Sequence, residues 1–164
     1  MATWPDFDPE ALLERLVHGG VDFVVVGGIA MVAHGSARLT QDLDITYATD
    51  EPNLDALGNV LLDIHARLRG VDDDVPFVPD GRTLRHTQML TLDSELGPID
   101  LLTAPSGAPP YTTLRARATA VQLSGVRVLI ASLDDLEAMK RSAGRAKDTI
   151  DLEEIAVIRD RLQP

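Results

Sequence analysis

Asp42 and Asp44 stand one residue apart in the run Asp42-Leu43-Asp44-Ile45-Thr46-Tyr47. Read as a strand, the run has period two, so both acids share one face while Leu43 and Ile45 share the other. Neighbouring carboxylates repel each other and lose hydration on burial, so a fold tolerates them best around a cation. Oxygen ligands alone suit Mg²⁺ or Mn²⁺ rather than zinc. Further along, Ile99-Asp100-Leu101-Leu102 sets a single acid in an apolar strand. A lone carboxylate in such a place needs a partner or becomes neutral. On a strand beside the first, Asp100 supplies a third carboxylate facing Asp42 and Asp44. On an edge strand it would face water; the expectation is the former.

The elements around these acids are legible too. Residues 21–26 are apolar and β-branched apart from Asp22, and two glycines, Gly27 and Gly28, stop them. That pattern predicts a short buried strand. Residues 29–34 contain good helix formers and end at Gly35, a plausible C-cap. The glycine pair therefore falls at a strand-to-helix turn. Backbone N–H groups at such a turn can face an anion, with the positive end of the helix dipole behind them.

Before this centre, Asp8-Pro9-Glu10 opens a helix that Gly19-Gly20 closes. After it, Asp50-Glu51-Pro52-Asn53 opens another, with Leu54, Leu57, Val60, Leu61, Ile64 and Leu68 at helical spacing. Residues 70–81 carry Asp72, Asp73, Asp74 and two prolines, and read as a solvated surface loop rather than a metal site. Arg82, Arg85 and His86 then fall near the start of a strand, either as edge charges facing water or as contacts to an anionic substrate. Strands are expected over 87–92 and 98–102, around a hairpin-like connection. Residues 111–117 suggest a short helix, and 119–123 with 126–130 a small hairpin. Ser132 starts a helix with Leu133, Leu136 and Met139 on one face. A last helix runs through Leu152, Ile155, Ile158 and Leu162. Asp148 and Asp151 lie near its start, where the dipole favours acids, and Lys140, Arg145 and Lys147 gather basic charge just before it.

The chain has 164 residues, a formal net charge of −11 and no cysteine. Disulfides, thiol catalysis and Cys-based zinc sites are thereby excluded. The four histidines show no metal-ligand spacing. No leader and no long apolar run is evident, so the expectation is a cytoplasmic protein with no membrane association. The acidic balance argues against nonspecific nucleic-acid binding over the whole surface, while permitting local basic patches or a basic partner.

The series Gly27-Gly28, Ala30, His34-Gly35, Arg38, Thr40, Asp42, Asp44 resembles the signature of the nucleotidyltransferase superfamily, with its DNA polymerase β-like fold. Within that superfamily it is similar to the nucleotidyltransferase toxins of bacterial abortive-infection toxin–antitoxin systems. Lys140 followed by Lys147-Asp148-x-x-Asp151 resembles the C-terminal motifs of the same toxins. The resemblance covers 24–45 and 133–152 strongly and Asp100 moderately. It implies an α+β (α/β) fold, a small mixed β-sheet flanked by helices. A single domain over 1–164 is expected, with a catalytic core over about 20–103 and a C-terminal helical part over about 131–164.

The activity implied is transfer of a nucleoside monophosphate from a nucleoside triphosphate to an acceptor hydroxyl, releasing pyrophosphate. Asp42, Asp44 and Asp100 would hold Mg²⁺ or Mn²⁺, and Asp100 would also take or orient the acceptor proton. Gly27 and Gly28 would admit the phosphates to the backbone. Arg38 and Lys140, and less centrally Arg145 and Lys147, would neutralise phosphate charge, with Asp148 in the same nucleotide-binding group. Many superfamily members carry Ser where this chain has Gly28; the loss of that hydroxyl implies either lower phosphate affinity or a contact shifted to Ser36 or Thr40. The acceptor implied is tRNA, with an antitoxin protein as partner. The alternatives are an aminoglycoside- or lincosamide-like antibiotic nucleotidyltransferase, favoured by the acidic charge, and a nucleotide-binding partner module without turnover.

Overall fold

A computed structural model describes residues 6–72 and 74–164. Asp8 accepts a hydrogen bond from Ala11 N at 3.0 Å and starts α1 (Pro9–His18) with proline in the first turn. The β-branched run that follows forms β1 (Phe23–Val26), which passes directly into α2 (Gly27–Ala33). Next come β2 (Leu43–Tyr47), α3 (Glu51–Asp63), β3 (Arg67–Leu68), α4 (Gly81–His86), β4 (Met89–Asp93) and β5 (Ile99–Leu102). The chain continues through α5 (Tyr111–Arg117), the hairpin of β6 (Thr119–Leu123) and β7 (Val126–Ile130), α6 (Leu133–Ala143) and α7 (Ala146–Leu162).

The strands make one mixed seven-stranded sheet in the order β3-β4-β5-β2-β1-β7-β6. Central β2 pairs antiparallel with β1 and parallel with β5. Its alternation does what period two requires: Leu43 and Ile45 are fully buried, as are their neighbours Val25, Ile99 and Leu101. These join Leu12, Leu16, Leu57 and Leu61 in one apolar cluster. Each such side chain moved out of water contributes roughly 1.5–3 kcal/mol.

Three local differences from the sequence reading have physical causes. The helical spacing predicts α3 as far as Leu68, but the helix stops at Asp63 and Leu68 lies in β3. His65, at φ 52, turns the chain, while His65 N donates to Leu62 O and Ala66 N to Leu61 O. This is a Schellman closure with a histidine where glycine is the usual signal. Arg82, Arg85 and His86 do precede a strand, β4, but they lie on a short helix, α4, which Asp80 caps by accepting from Thr83 N at 2.8 Å. The glycine pair does not precede its helix but forms the first turn of α2. Of the acidic run Asp72-Asp73-Asp74, Asp73 lies outside the described residues. Among the described residues, no helix is long and apolar enough to cross a membrane.

A buried asparagine ties the central strands to α3. Asn53 Oδ1 accepts from Asp22 N at 2.7 Å, and its Nδ2 donates to the carbonyls of Asp22 at 3.0 Å and Ala48 at 2.7 Å. One side chain thus satisfies the backbone at the entry to β1 and the exit from β2. Asn53→Ala leaves those groups unpaired, and a loss of about 2–3 kcal/mol is expected in urea unfolding.

Candidate active site

In-register pairing of β2 with β5 places Asp44 directly beside Asp100, and β1 places Val26 beside Asp44 on the other side. The end of β1, the second acid and the third acid therefore share one row across the sheet. Asp42 is two residues before Asp44 and on its face. Carboxylate oxygens of Asp42, Asp44 and Asp100 all lie within 4.8 Å of one another, a group able to hold a metal ion. They open into a cleft of about 580 Å³, lined also by Gly27, Gly28, Arg38, Thr40, Lys140, Arg145 and Lys147.

Burial, then the charges of Asp42 and Asp100, push the Asp44 carboxyl up from 3.8 to about 7. Burial also raises Asp100, against the opposing pull of Arg69. Three convergent acids of which one prefers to keep its proton make a donor set matched to a divalent cation, and all the donors are oxygen. The residues present fit such an ion.

Gly27 has φ 66, and a Cβ there would fall 2.0 Å from Asp44 Oδ2. Backbone conformation and close approach both demand glycine at this position. At Gly28, a Cβ would fall 2.6 Å from Thr40 Oγ1. The Thr40 hydroxyl, which donates to Asp42 O at 3.2 Å, thus stands where a side chain at 28 would reach.

The cations are held from behind. Lys140 Nζ lies 2.7 Å from Asp151 Oδ2 and 3.4 Å from Asp148 Oδ1. Arg145 Nε donates to Asp148 Oδ2 at 2.8 Å, and Arg38 donates to Asp151 Oδ1. The side chains of Asp148 and Asp151 are each 1% exposed. The Arg145 hydrogen bond holds Asp148 down at about 2. Two buried acids thus draw three cations to the cleft wall, with Lys147 beside them on the lining. Ser36 is placed elsewhere: its hydroxyl donates to Glu154 Oε1 at 2.8 Å and accepts from Arg38 N at 3.1 Å. Arg82, Arg85 and His86 are not among the lining residues; Arg85 Nε donates to Thr49 O at 3.4 Å.

Two contributors have partners for which the sequence carried no signal. Arg69 reaches Asp100 Oδ1 at 2.8 Å from 31 positions away. His34 Nε2 donates to Ala131 O at 2.8 Å, pinning the end of α2 to the approach of α6. In both cases the partner is fixed by tertiary packing, and local sequence does not encode it. Asp151, expected as a helix-start acid and as part of the C-terminal motif, is the residue on which Arg38 and Lys140 converge.

Three outcomes are expected. Gly27→Ala forces the Asp44 carboxylate to move, and a displacement near 1 Å costs transfer activity about 100-fold, read in a steady-state assay. Without a cation, the native state holds an extra proton on Asp44 between its ordinary 3.8 and about 7. Stability of the metal-free protein therefore falls as pH rises through that window, because the unfolded chain has already released the proton. A divalent cation must displace that proton, so Mn²⁺ affinity in titration calorimetry rises up to about tenfold per pH unit below 7 and levels off above.

Residues 11–161 match the family described as nucleotidyl transferase AbiEii toxin, type IV TA system. Among curated proteins, no sequence match reaches significance. Among solved structures, the chain is similar to the lincosamide antibiotic adenylyltransferase LnuA with lincomycin bound. The TM-score is 0.61 at 16% identity, covering 94% of this chain and 99% of that one. It is similar also to the antibiotic-resistance factor ANT(2'')-Ia, with TM-score 0.55, 12% identity and coverage of 94% and 90%. An antigenic nucleotidyltransferase-like protein from Paracoccidioides brasiliensis gives TM-score 0.51 at 19% identity, covering 91% of this chain and 72% of that one. These likenesses show a nucleotidyltransferase fold. With the family match spanning 11–161, the chain belongs to the AbiEii family of nucleotidyltransferases, the toxins of type IV toxin–antitoxin systems.

Proposed function

We propose that this nucleotidyltransferase moves a nucleoside monophosphate from a nucleoside triphosphate to a hydroxyl of tRNA, using Mg²⁺ or Mn²⁺, as the toxin of a toxin–antitoxin pair. The observation that supports this most is the meeting of three carboxylates and a bank of braced cations in one cleft. Asp42, Asp44 and Asp100 are the residues that would hold the ion. Bound there, a divalent cation supplies neutralising charge to the α-phosphate and to the departing pyrophosphate.

The chain's own residues account for the remaining work. Gly27 and Gly28 present a wall without side chains, against which phosphate oxygens can approach the backbone. Thr40 offers the hydroxyl that position 28 lacks. Arg38, Lys140, Arg145 and Lys147 supply positive charge for the β- and γ-phosphates. The acceptor oxygen forms its bond to the α-phosphorus while the bond to the β-phosphate oxygen breaks, and pyrophosphate leaves with that electron pair. The acceptor proton passes to the Asp100 carboxylate, placed by β5 beside Asp44. The tRNA acceptor and the antitoxin partner rest on family membership alone.

A drug hydroxyl is the second reading of the acceptor. The net charge of −11 would attract a cationic antibiotic. Incubation with each labelled triphosphate, Mg²⁺ and either total tRNA or a panel of aminoglycosides and lincosamides separates the two. Labelled RNA supports the proposal and labelled drug the alternative. Thermal stabilisation by nucleotide without any product points to a binding module. Asp42→Asn and Asp44→Asn are each expected to abolish Mg²⁺-dependent transfer with the circular-dichroism spectrum unchanged. Wild-type transfer by the double variant would rule out metal binding at these acids.

A further inference from the structure

Asp100 does not stand in the cleft unsupported. Arg69 follows directly on β3, and its backbone N donates to Thr91 O at 2.9 Å, extending the β3–β4 ladder. Its guanidinium then meets three acceptors on two strands: Nε donates to Asp93 Oδ1 at 3.1 Å, and Nη2 donates to Leu92 O at 2.9 Å and Asp100 Oδ1 at 2.8 Å. A planar fork satisfied at several fixed points has one usable rotamer. Arg69 is not among the residues lining the cleft, so it approaches Asp100 from outside the space a substrate would occupy.

We infer that Arg69 is a positioning residue for Asp100, locking one carboxylate oxygen to the β4–β5 pair so that the other is offered to the cleft in a fixed direction. This rests on the reading of Asp100 as a metal-holding acid. Two effects compete in any substitution. As a nearby positive charge, Arg69 opposes cation binding, so its loss would tighten the site. As a brace, it fixes the ligand's direction, so its loss would loosen the site; supporting groups of this kind are typically worth about 10- to 100-fold in metal affinity or activity. The three hydrogen bonds along the Nε–Nη2 edge of the guanidinium favour the brace. Triphosphate contacts along Arg38 and Lys140 are separate from it, so the loss should fall on turnover and not on triphosphate affinity.

The test uses the whole protein with Arg69→Met, Arg69→Lys and, as reference, Asp100→Asn. Mn²⁺ binding to the metal-free protein is read by electron paramagnetic resonance, and kcat and KM for the triphosphate are read in the transfer assay. Arg69→Met is expected to weaken Mn²⁺ binding and lower kcat, each by roughly 10- to 100-fold, with KM changed less than about threefold. Arg69→Lys keeps the charge but not the fork, and is expected to recover only part of the loss. Tighter Mn²⁺ binding in Arg69→Met would make the residue a counter-charge and overturn the inference. If Arg69→Met does not fold, Arg69→Lys decides alone: wild-type kcat and Mn²⁺ affinity in that variant overturn it. A different failure, in which Asp100→Asn binds Mn²⁺ like wild type, removes the metal reading itself.

Discussion

Parallel, in-register pairing of β2 with β5 is the constraint from which the site follows. It fixes Asp44 and Asp100 as neighbours on one face, while the alternate residues Leu43, Ile45, Ile99 and Leu101 are driven into the core by the hydrophobic effect. A slip of one residue would bury the acids and expose the leucines and isoleucines, so the same term that stabilises the sheet also aims the carboxylates. The repulsion this creates is local and modest beside the apolar burial behind it. Burial first, and this repulsion second, raise the Asp44 carboxyl, and Arg69 works against the rise at Asp100.

The opposite charge is organised by a different device. Asp148 and Asp151 are buried, and burial of unpaired carboxylates is costly, so α7 can dock only with cations brought to them. Lys140, Arg145 and Arg38 answer that demand from α6, the turn before α7 and the loop after α2. Net stabilisation from such pairs is small in general; their use here is orientation, since each cation is held at the cleft wall. Acids on the sheet and acids under the helices therefore have opposite tasks. The first face the cleft, and the second hold the groups that face it.

Much of this was readable from residue types in order. Asp42 and Asp44 with a Gly-Gly stop, and a lone Asp100 in an apolar strand, carry their meaning locally through period two. The glycine-ended strand was legible from its local residue types, and the nucleotidyltransferase fold from the resemblance of the motif series to that superfamily. Where reading stopped short, the information was not local. The end of α3 depends on His65 adopting a left-handed conformation that sequence ordinarily reserves for glycine. The start of α4 at Asp80 reads as part of a surface loop, because a helix of a single short stretch leaves little periodic pattern. Arg69, His34 and the placement of Ser36 against Glu154 are decided by partners 31, 97 and 118 positions away, and no spacing rule spans such distances.

The bond between Arg38 and Asp151 links residues 113 positions apart. A chain made from its N-terminus has its central strands available long before α7 leaves the ribosome. Until α7 docks, Arg38 and Lys140 have no buried acid to hold them at the cleft wall. Nascent or C-terminally truncated chains therefore lack the contacts that fix these cations at the cleft wall, and those contacts form only when the last helix of the fold docks.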